Sequence, residues 1–255
     1  MGRSTKFVML RGPMNILLPL LMKVLPTLRV IWSGVGDKVI ETSKRLQPKS
    51  FKRWDVQLVI DADESALRTF KEQPDIDVYE IEVEPSQWKP SEEELKAAKI
   101  VEPWHHPVGL LQVLRRNWHK IFSVYHLLLD LSRLAHILSW AAYHTFIKQD
   151  MRKPFHMINF LKFQGNEKTY TLYRDAAGMM ILKGGGGLAF MGKVKSPGPC
   201  EWDEIMIVAY KDRFQFFLMA LLTPTYWPLS LVRDEGLSDS ILFAVEPMSL
   251  PLQNS

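Results

Sequence analysis

The strongest constraint on the fold is that the chain repeats itself. Phe7-Val8-Met9-Leu10 matches Phe155-His156-Met157-Ile158 at a spacing of 148 residues, and Trp54-Asp55 matches Trp202-Asp203 at the same spacing. Each Trp-Asp pair opens an apolar run, Val56 to Ile60 and Ile205 to Tyr210. Between the anchors each half has an apolar, helix-like segment and then a strand with a central glycine. Those strands are Val30 to Val35 around Gly34, and Ala189 to Val194 around Gly192. A second helix and a last strand follow in each half. Repetition of this length means that one supersecondary unit is used twice and must bury the same face twice.

Each half therefore reads βαββαβ. The first half predicts strands near 6–11, 28–35, 54–60 and 77–84, with helices near 14–25 and 63–73, the latter N-capped by Asp63. The second predicts strands near 155–163, 187–194, 202–210 and 239–246, with helices near 168–183 and 211–222. Such a unit, ferredoxin-like in its order, carries its helices on one sheet face and needs a cover for the other. A second copy is the simplest cover. Two fused copies then do within one chain what a two-fold dimer does with two. The expected organisation is an α+β chain of tandem repeats at 1–84 and 151–255, forming an intramolecular pseudo-dimer, with a linker and helical insert at 85–150.

The insert differs in character. Ser91-Glu92-Glu93-Glu94 reads as a capping box. Leu111, Leu114, Trp118, Ile121, Tyr125 and Leu128 recur at helical spacing, which predicts a long helix or helical hairpin. Three roles remain open for residues 108–148: packing on the barrel, binding a protein partner, or lying on a membrane surface. The uncharged run Leu134 to Ile147 is too short to span a bilayer. Met14 to Leu25 is apolar and follows Arg3, Lys6 and Arg11, as in a signal sequence. Pro13, Pro19 and Pro26 interrupt it and no small-residue cleavage site follows, so a buried helix is expected.

A net charge of +4 leaves no dense basic stripe, so nucleic acid is not an expected partner. The densest basic cluster, Lys44, Arg45, Lys49, Lys52 and Arg53, falls in a predicted loop. Cys200 is the lone cysteine, which excludes an intramolecular disulfide and a cysteine zinc site and fits a cytoplasmic, reducing compartment.

Several motifs of the second half agree, in order, with one family. Met157-Ile158-Asn159-Phe160-Leu161-Lys162-Phe163 resembles the opening strand of the DUF1330 family. Tyr173-Arg174-Asp175-Ala176-Ala177-Gly178 resembles its first helix, and Gly186-Gly187-Leu188 through Val194 its second strand. Trp202-Asp203-Glu204, Thr223 to Tyr226, and Arg233 with Gly236 to Ser240 resemble the remainder. The first half resembles the family only through Met9-Leu10, Trp32 to Val35 and Trp54-Asp55. The resemblance implies a dimeric α+β barrel. That superfamily includes cofactor-free monooxygenases, isomerases and cyclases, haem proteins, and members without known activity. Family members carry a histidine just before the arginine matching Arg233; here that position is Val232. The resemblance therefore implies a small-molecule pocket in the second repeat, possible cofactor-independent chemistry, and a degenerate first-half pocket.

Candidate residues follow. Asn159 interrupts an apolar strand, where a buried amide needs partners; it orients a ligand carbonyl or bonds a neighbouring strand. Asp203 beside Trp202 is a possible base, although its duplication as Asp55 points to the fold. Tyr173, Arg174, Tyr210 and Arg233 are placed to line a pocket between sheet and helices, with arginine able to clamp a carboxylate. His156 faces either a pocket or solvent. Five other histidine sites, His105-His106, His119, His126, His136 and His144, lie in the insert. His119 and His126 are too widely spaced for a helical zinc pair, so no metal is expected, and no cofactor, with haem ligation by an insert histidine as the alternative. Gly184 to Gly187 lacks the flanks of a phosphate loop and reads as helix termination. The opposing functional reading is a non-catalytic scaffold that uses the insert.

Overall fold

The computed structural model describes residues 4–41, 54–62, 64–88, 152–165, 167–195, 202–217, 219 and 226–248. The first repeat comprises β1 (Ser4–Arg11), α1 (Met14–Val24), a 3-10 turn (Leu25–Thr27), β2 (Arg29–Glu41), β3 (Val56–Ala62), α2 (Glu64–Lys71) and β4 (Asp77–Pro85). The second comprises β5 (Phe155–Phe163), α3 (Glu167–Lys183), β6 (Gly187–Val194), β7 (Glu204–Tyr210), α4 (Arg213–Phe217), α5 (Tyr226–Gly236) and β8 (Leu237–Pro247). Asp63, the capping box at 91–94, the insert 108–148, the basic cluster and Cys200 lie outside the described residues, Arg53 being the last of that cluster.

Eight strands close into one barrel in the order β1-β3-β2-β8-β5-β7-β6-β4, every pairing antiparallel. Each repeat contributes a ferredoxin-like sheet, β4-β1-β3-β2 and β8-β5-β7-β6. The two are stitched twice, through β2–β8 and β4–β6. The stitches are equivalent: Gly34 sits opposite Pro247 in one and Gly192 opposite Pro85 in the other. Past each proline the next N–H bonds back across the junction, Met248 to the carbonyl of Ser33 and Ser86 to that of Met191. A closed barrel leaves no sheet edge to mispair.

Alternation along the strands then makes three cores. The barrel interior takes side chains from all eight strands, including Phe7, Met9, Trp32, Ile81, Phe160, Phe190, Ile207 and Phe243. Phe160 sits at its centre, with ring centroids 5.4 Å from Phe7, 5.7 Å from Phe243 and 5.9 Å from Trp202. The outer face of each half-sheet packs against that half's own helices.

The central glycines have a physical reason. The Trp32 ring folds over Gly34, where a Cβ would lie 2.7 Å from it, and the Phe190 ring folds over Gly192, at 3.0 Å. Each aromatic follows a bulge in the pairing with the neighbouring strand, between Val30 and Trp32 and between Leu188 and Phe190. The glycine leaves room for the ring that the bulge redirects. The glycine run ends α3 as expected: Gly185 takes φ 78° and the Gly186 N–H reaches the Ile181 carbonyl at 2.9 Å.

Three expectations change. The first-strand register is three residues out. The Asp55 N–H bonds the Leu10 carbonyl, whereas that of Asp203 bonds the Leu161 carbonyl. Phe7 to Leu10 therefore correspond to Ile158 to Leu161, not Phe155 to Ile158. The counterpart of Asn159 is Val8, and that of Arg11 is Lys162. An odd slip exchanges the two faces of a strand; the corrected register puts Phe7 with Ile158 inside the barrel and Leu10 with Leu161 under the helices. Second, residues 226–236, between the expected helix near 211–222 and the expected strand near 239–246, form α5. Pro228 falls in its first turn, where a missing N–H costs no bond. Third, α1 buries only Leu17, Leu21 and Val24, while Met14, Leu18 and Met22 are exposed.

Candidate functional site

On β7, Ile205 and Ile207 point into the barrel, while Met206, Val208 and Tyr210 point toward the helices. Glu204 shares the second face. It pairs with Leu161 on β5 and Lys193 on β6, and it is 0% exposed. Neither carboxylate oxygen has a hydrogen-bond partner among the described residues. Its neighbour is Arg174 of α3, whose Nη1 lies 3.5 Å from Oε2, an ion pair without a hydrogen bond. Burial raises the Glu204 carboxyl to about 7; Arg174 and Lys193 pull it back and Glu167 adds to the rise. A buried carboxyl needs a reason to lack partners, and one titrating near neutrality in such surroundings marks a functional-site candidate.

The helices complete the surroundings. Tyr170, Tyr173, Arg174 and Ala177 follow the three-four spacing of one face of α3. Tyr170 and Ala177 are buried, and Tyr173 is packed against the same core. Arg174 lies between three carboxylates: Glu204, Glu167 at 3.6 Å and Asp175 at 3.8 Å. The α5 helix adds Tyr226, whose hydroxyl is 3.4 Å from that of Tyr173, and Arg233, which donates to the Ser240 hydroxyl at 2.9 Å. Burial raises the phenols of Tyr170, Tyr173 and Tyr210; Tyr226 adds to each rise and Arg233 opposes it. Glu204 and Arg174 also act on Tyr170. The carboxyl–guanidinium pair and the tyrosine–Arg233 group thus meet at Tyr170, on which both arginines act.

The structure brings Tyr173, Arg174, Tyr210 and Arg233 into this one layer. Arg233 arrives on α5. Asn159 lies on the same sheet face, but its Nδ2 donates to the carbonyls of Met157 at 3.0 Å and Met206 at 3.2 Å, tying β5 to β7. Asp203 stands apart. Its carboxylate accepts the Phe163 N–H at 2.8 Å and Lys162 Nζ at 3.1 Å, as Asp55 accepts the N–H of Gly12 at 3.1 Å. His156 is on the opposite sheet face. Its Nδ1 accepts the indole N–H of Trp32 at 2.7 Å across the two repeats, with the rings stacked at 5.9 Å, and burial lowers its pKa.

Sequence reasoning missed Glu204, Tyr170 and Tyr226. The signal for Glu204 was its register: it alternates with Met206, Val208 and Tyr210, so the strand's buried face begins with a charge. The first repeat sharpens the point. Val56 occupies the equivalent place, opposite Leu10 as Glu204 is opposite Leu161, and it too is 0% exposed. The fold accepts a valine there.

The insert histidines lie outside the described residues, as does the insert's surface for a partner. Among the described residues no group of three or more His, Cys, Asp and Glu is placed to hold a metal ion, and no helix is long and apolar enough to cross a membrane.

No protein-family model matches the chain. No curated protein matches it either. Among solved structures, the RPA0582 protein of unknown function from Rhodopseudomonas palustris is 22% identical, over 43% of this chain and 94% of its own, with a TM-score of 0.39. A single-site mutant of chlorite dismutase from Candidatus Nitrospira defluvii is 9% identical, over 96% of this chain and 92% of its own, with a TM-score of 0.47. The siroheme decarboxylase NirDL is 10% identical, over 96% of this chain and 72% of its own, with a TM-score of 0.44. Likenesses of this strength say nothing of chemistry. The barrel architecture stands on the chain's own strand order.

Proposed function

We propose that this chain binds a small carbonyl-bearing organic acid in the second repeat and moves a proton on it, with Glu204 as the acid–base group. The observation that carries the reading is the buried Glu204 carboxyl, both oxygens without hydrogen bonds among the described residues, in a place the first repeat fills with Val56. A carboxyl that titrates near 7 holds a usable fraction of both protonation states at neutral pH. Arg174 supplies a counter-charge to the carboxylate. The raised phenols of Tyr170, Tyr173 and Tyr210 stay protonated, so they act as O–H donors to a carbonyl oxygen, and Arg233 favours negative charge building on it. Together these groups support proton abstraction beside a carbonyl. The carboxylate takes a proton from carbon, the electron pair moves into the enolate, and the phenols stabilise its oxygen. Return of the proton to another position completes a tautomerisation or isomerisation, with no electron acceptor consumed. The resemblance of the second half to DUF1330 fits a pocket in this repeat.

The test is exchange of carbon-bound hydrogen. A panel of small 2-oxo and 1,3-dicarbonyl acids in D2O is followed by proton NMR with the full chain. Deuterium entry next to the carbonyl, abolished in Glu204→Gln and kept in Asp203→Asn, supports the reading. Equal exchange in wild type and Glu204→Gln, or none above buffer across the panel, removes it.

A further inference from the structure

Among the described residues Arg174 is shared by three carboxylates, and one of the three is held by a residue that follows the last strand of the first repeat. Trp88 follows β4 of the first repeat. Its backbone is carried across the β4–β6 junction, where the Ser86 N–H bonds the Met191 carbonyl. The Trp88 indole N–H then donates to Asp175 Oδ1 at 2.8 Å, on α3 of the second repeat. Its ring lies against Gly178, one turn further on, where a Cβ would stand 2.5 Å from the ring. Only glycine admits the indole there.

We infer that Trp88 is a positioning residue which governs how Arg174 divides its charge between Asp175 and Glu204, so that the first repeat tunes the acid of the second. The distances support a shared cation. Arg174 lies 3.5 Å from Glu204, 3.6 Å from Glu167 and 3.8 Å from Asp175, and its Nε makes no hydrogen bond among the described residues. Its sulfur contact, Nη1 to Met191 Sδ at 3.8 Å, comes from the strand that Ser86 joins. Among the described residues no one carboxylate has captured the guanidinium. Arg174 is only 14% exposed, so water screens the competition weakly. The indole N–H occupies one oxygen of Asp175 and weakens its pull on Arg174. Among the described residues, the charged groups facing Glu204 are Arg174 and Glu167 from α3 and Lys193 from β6. Among the described residues, Asp175 is the one of these carboxylates that accepts a hydrogen bond from the chain leaving β4.

The inference rests on Glu204 being the acid–base group, and its test reads titration and not turnover. The full chain with carbon-13 carboxyl labels on Glu and Asp is titrated by NMR. Trp88→Phe keeps a ring over Gly178 and removes the donor. Asp175 then draws Arg174 away, and the Glu204 midpoint rises, by roughly half a unit or more. Asp175→Asn removes the competitor, and the midpoint falls. Gly178→Ala lifts the indole from Asp175 and shifts the midpoint in the Trp88→Phe direction; it serves if Trp88→Phe does not fold. An unchanged midpoint in Trp88→Phe, or shifts of the same sign in Trp88→Phe and Asp175→Asn, overturns the inference. The exchange assay fails or succeeds separately. If opposite shifts occur without exchange chemistry, the tuning stands and the proposed reaction falls. If exchange occurs and Trp88→Phe leaves the midpoint alone, the reverse holds.

Discussion

Replacing Glu204 by the residue its counterpart uses should stabilise the protein, progressively as pH rises from 4.5 to 7 and fully above that. The carboxyl titrates at 4.5 when unfolded and at about 7 when folded. Its folded value is raised, so between these limits the folded chain binds more protons than the unfolded one. Stability is therefore fully present below pH 4.5 and falls as pH rises through 7. At about 1.4 kcal/mol per unit, ionisation costs the fold about 3 kcal/mol by pH 8. Glu204→Val removes that loss. Arg174 keeps Glu167 and Asp175 within 3.8 Å, so the substitution leaves no isolated cation. Val56 shows that the same barrel position accepts the smaller side chain. Urea unfolding of the full chain at pH 5 and pH 8 is the assay. Expected are a change of less than about 1 kcal/mol at pH 5 and a gain of about 3 kcal/mol at pH 8, equivalent to roughly 6–12 °C in Tm. Equal destabilisation at both pH values would show that Glu204 anchors the fold, and the acid–base reading would lose its basis.

Other outcomes follow from particular contacts. In the folded chain His156 should titrate below 6.5 by NMR, because burial disfavours its charged form and Nδ1 already accepts the Trp32 N–H; its contribution to stability is then present above 6.5 and lost as pH falls through the folded value, and a midpoint at or above 6.5 refutes this. Gly34→Ala, with its Cβ 2.7 Å from the Trp32 ring, should cost about 1–3 kcal/mol in urea unfolding and more than Gly192→Ala, whose Cβ stands 3.0 Å from the Phe190 ring. Asp203→Ala and Asp55→Ala should each cost about 1–3 kcal/mol by releasing a backbone N–H, of Phe163 and of Gly12. Neither should change the Glu204 midpoint; a shift in Asp203→Ala would place that carboxylate in the site.

The fold was legible because it is written twice. The Trp-Asp anchors, the central glycines and the alternation of the strands each occur in both halves, and β5, β6 and α3 lie within a residue of expectation. The three-residue slip in β1 arose because Phe-x-Met recurs within one strand's reach: Phe7-Val8-Met9 resembles Phe155-His156-Met157 in letters, while the hydrogen bond of the following aspartate decides the true partner. The α5 helix falls where no element is expected, between the helix near 211–222 and the strand near 239–246; Pro228 in its first turn is compatible with a helix. The site was half legible. Tyr173, Arg174, Tyr210 and Arg233 are polar residues on recognisable elements. Glu204 reads as the polar edge of a strand until its neighbours β5 and β6 cover it, and Trp88 reads as linker until its ring meets Gly178. Both depend on contacts between elements distant in sequence.

The two repeats serve as each other's control, and this separates fold from chemistry more sharply than burial does. Asp55 and Asp203 perform one task in both halves, holding the end of the first strand against the start of the third. A group present twice on such terms answers a demand of the βαββαβ unit. Val8 and Val56 answer the demands of packing where the second repeat has Asn159 and Glu204, and all four are buried. The unit therefore requires neither amide nor carboxylate at those places. Asn159 offsets its own burial with two hydrogen bonds to neighbouring carbonyls. Glu204 makes none among the described residues, and ionised it lowers the stability of the chain that carries it. A buried carboxyl that the first repeat does without, and that the described residues leave without hydrogen bonds, is the observation on which the proposed acid–base role rests.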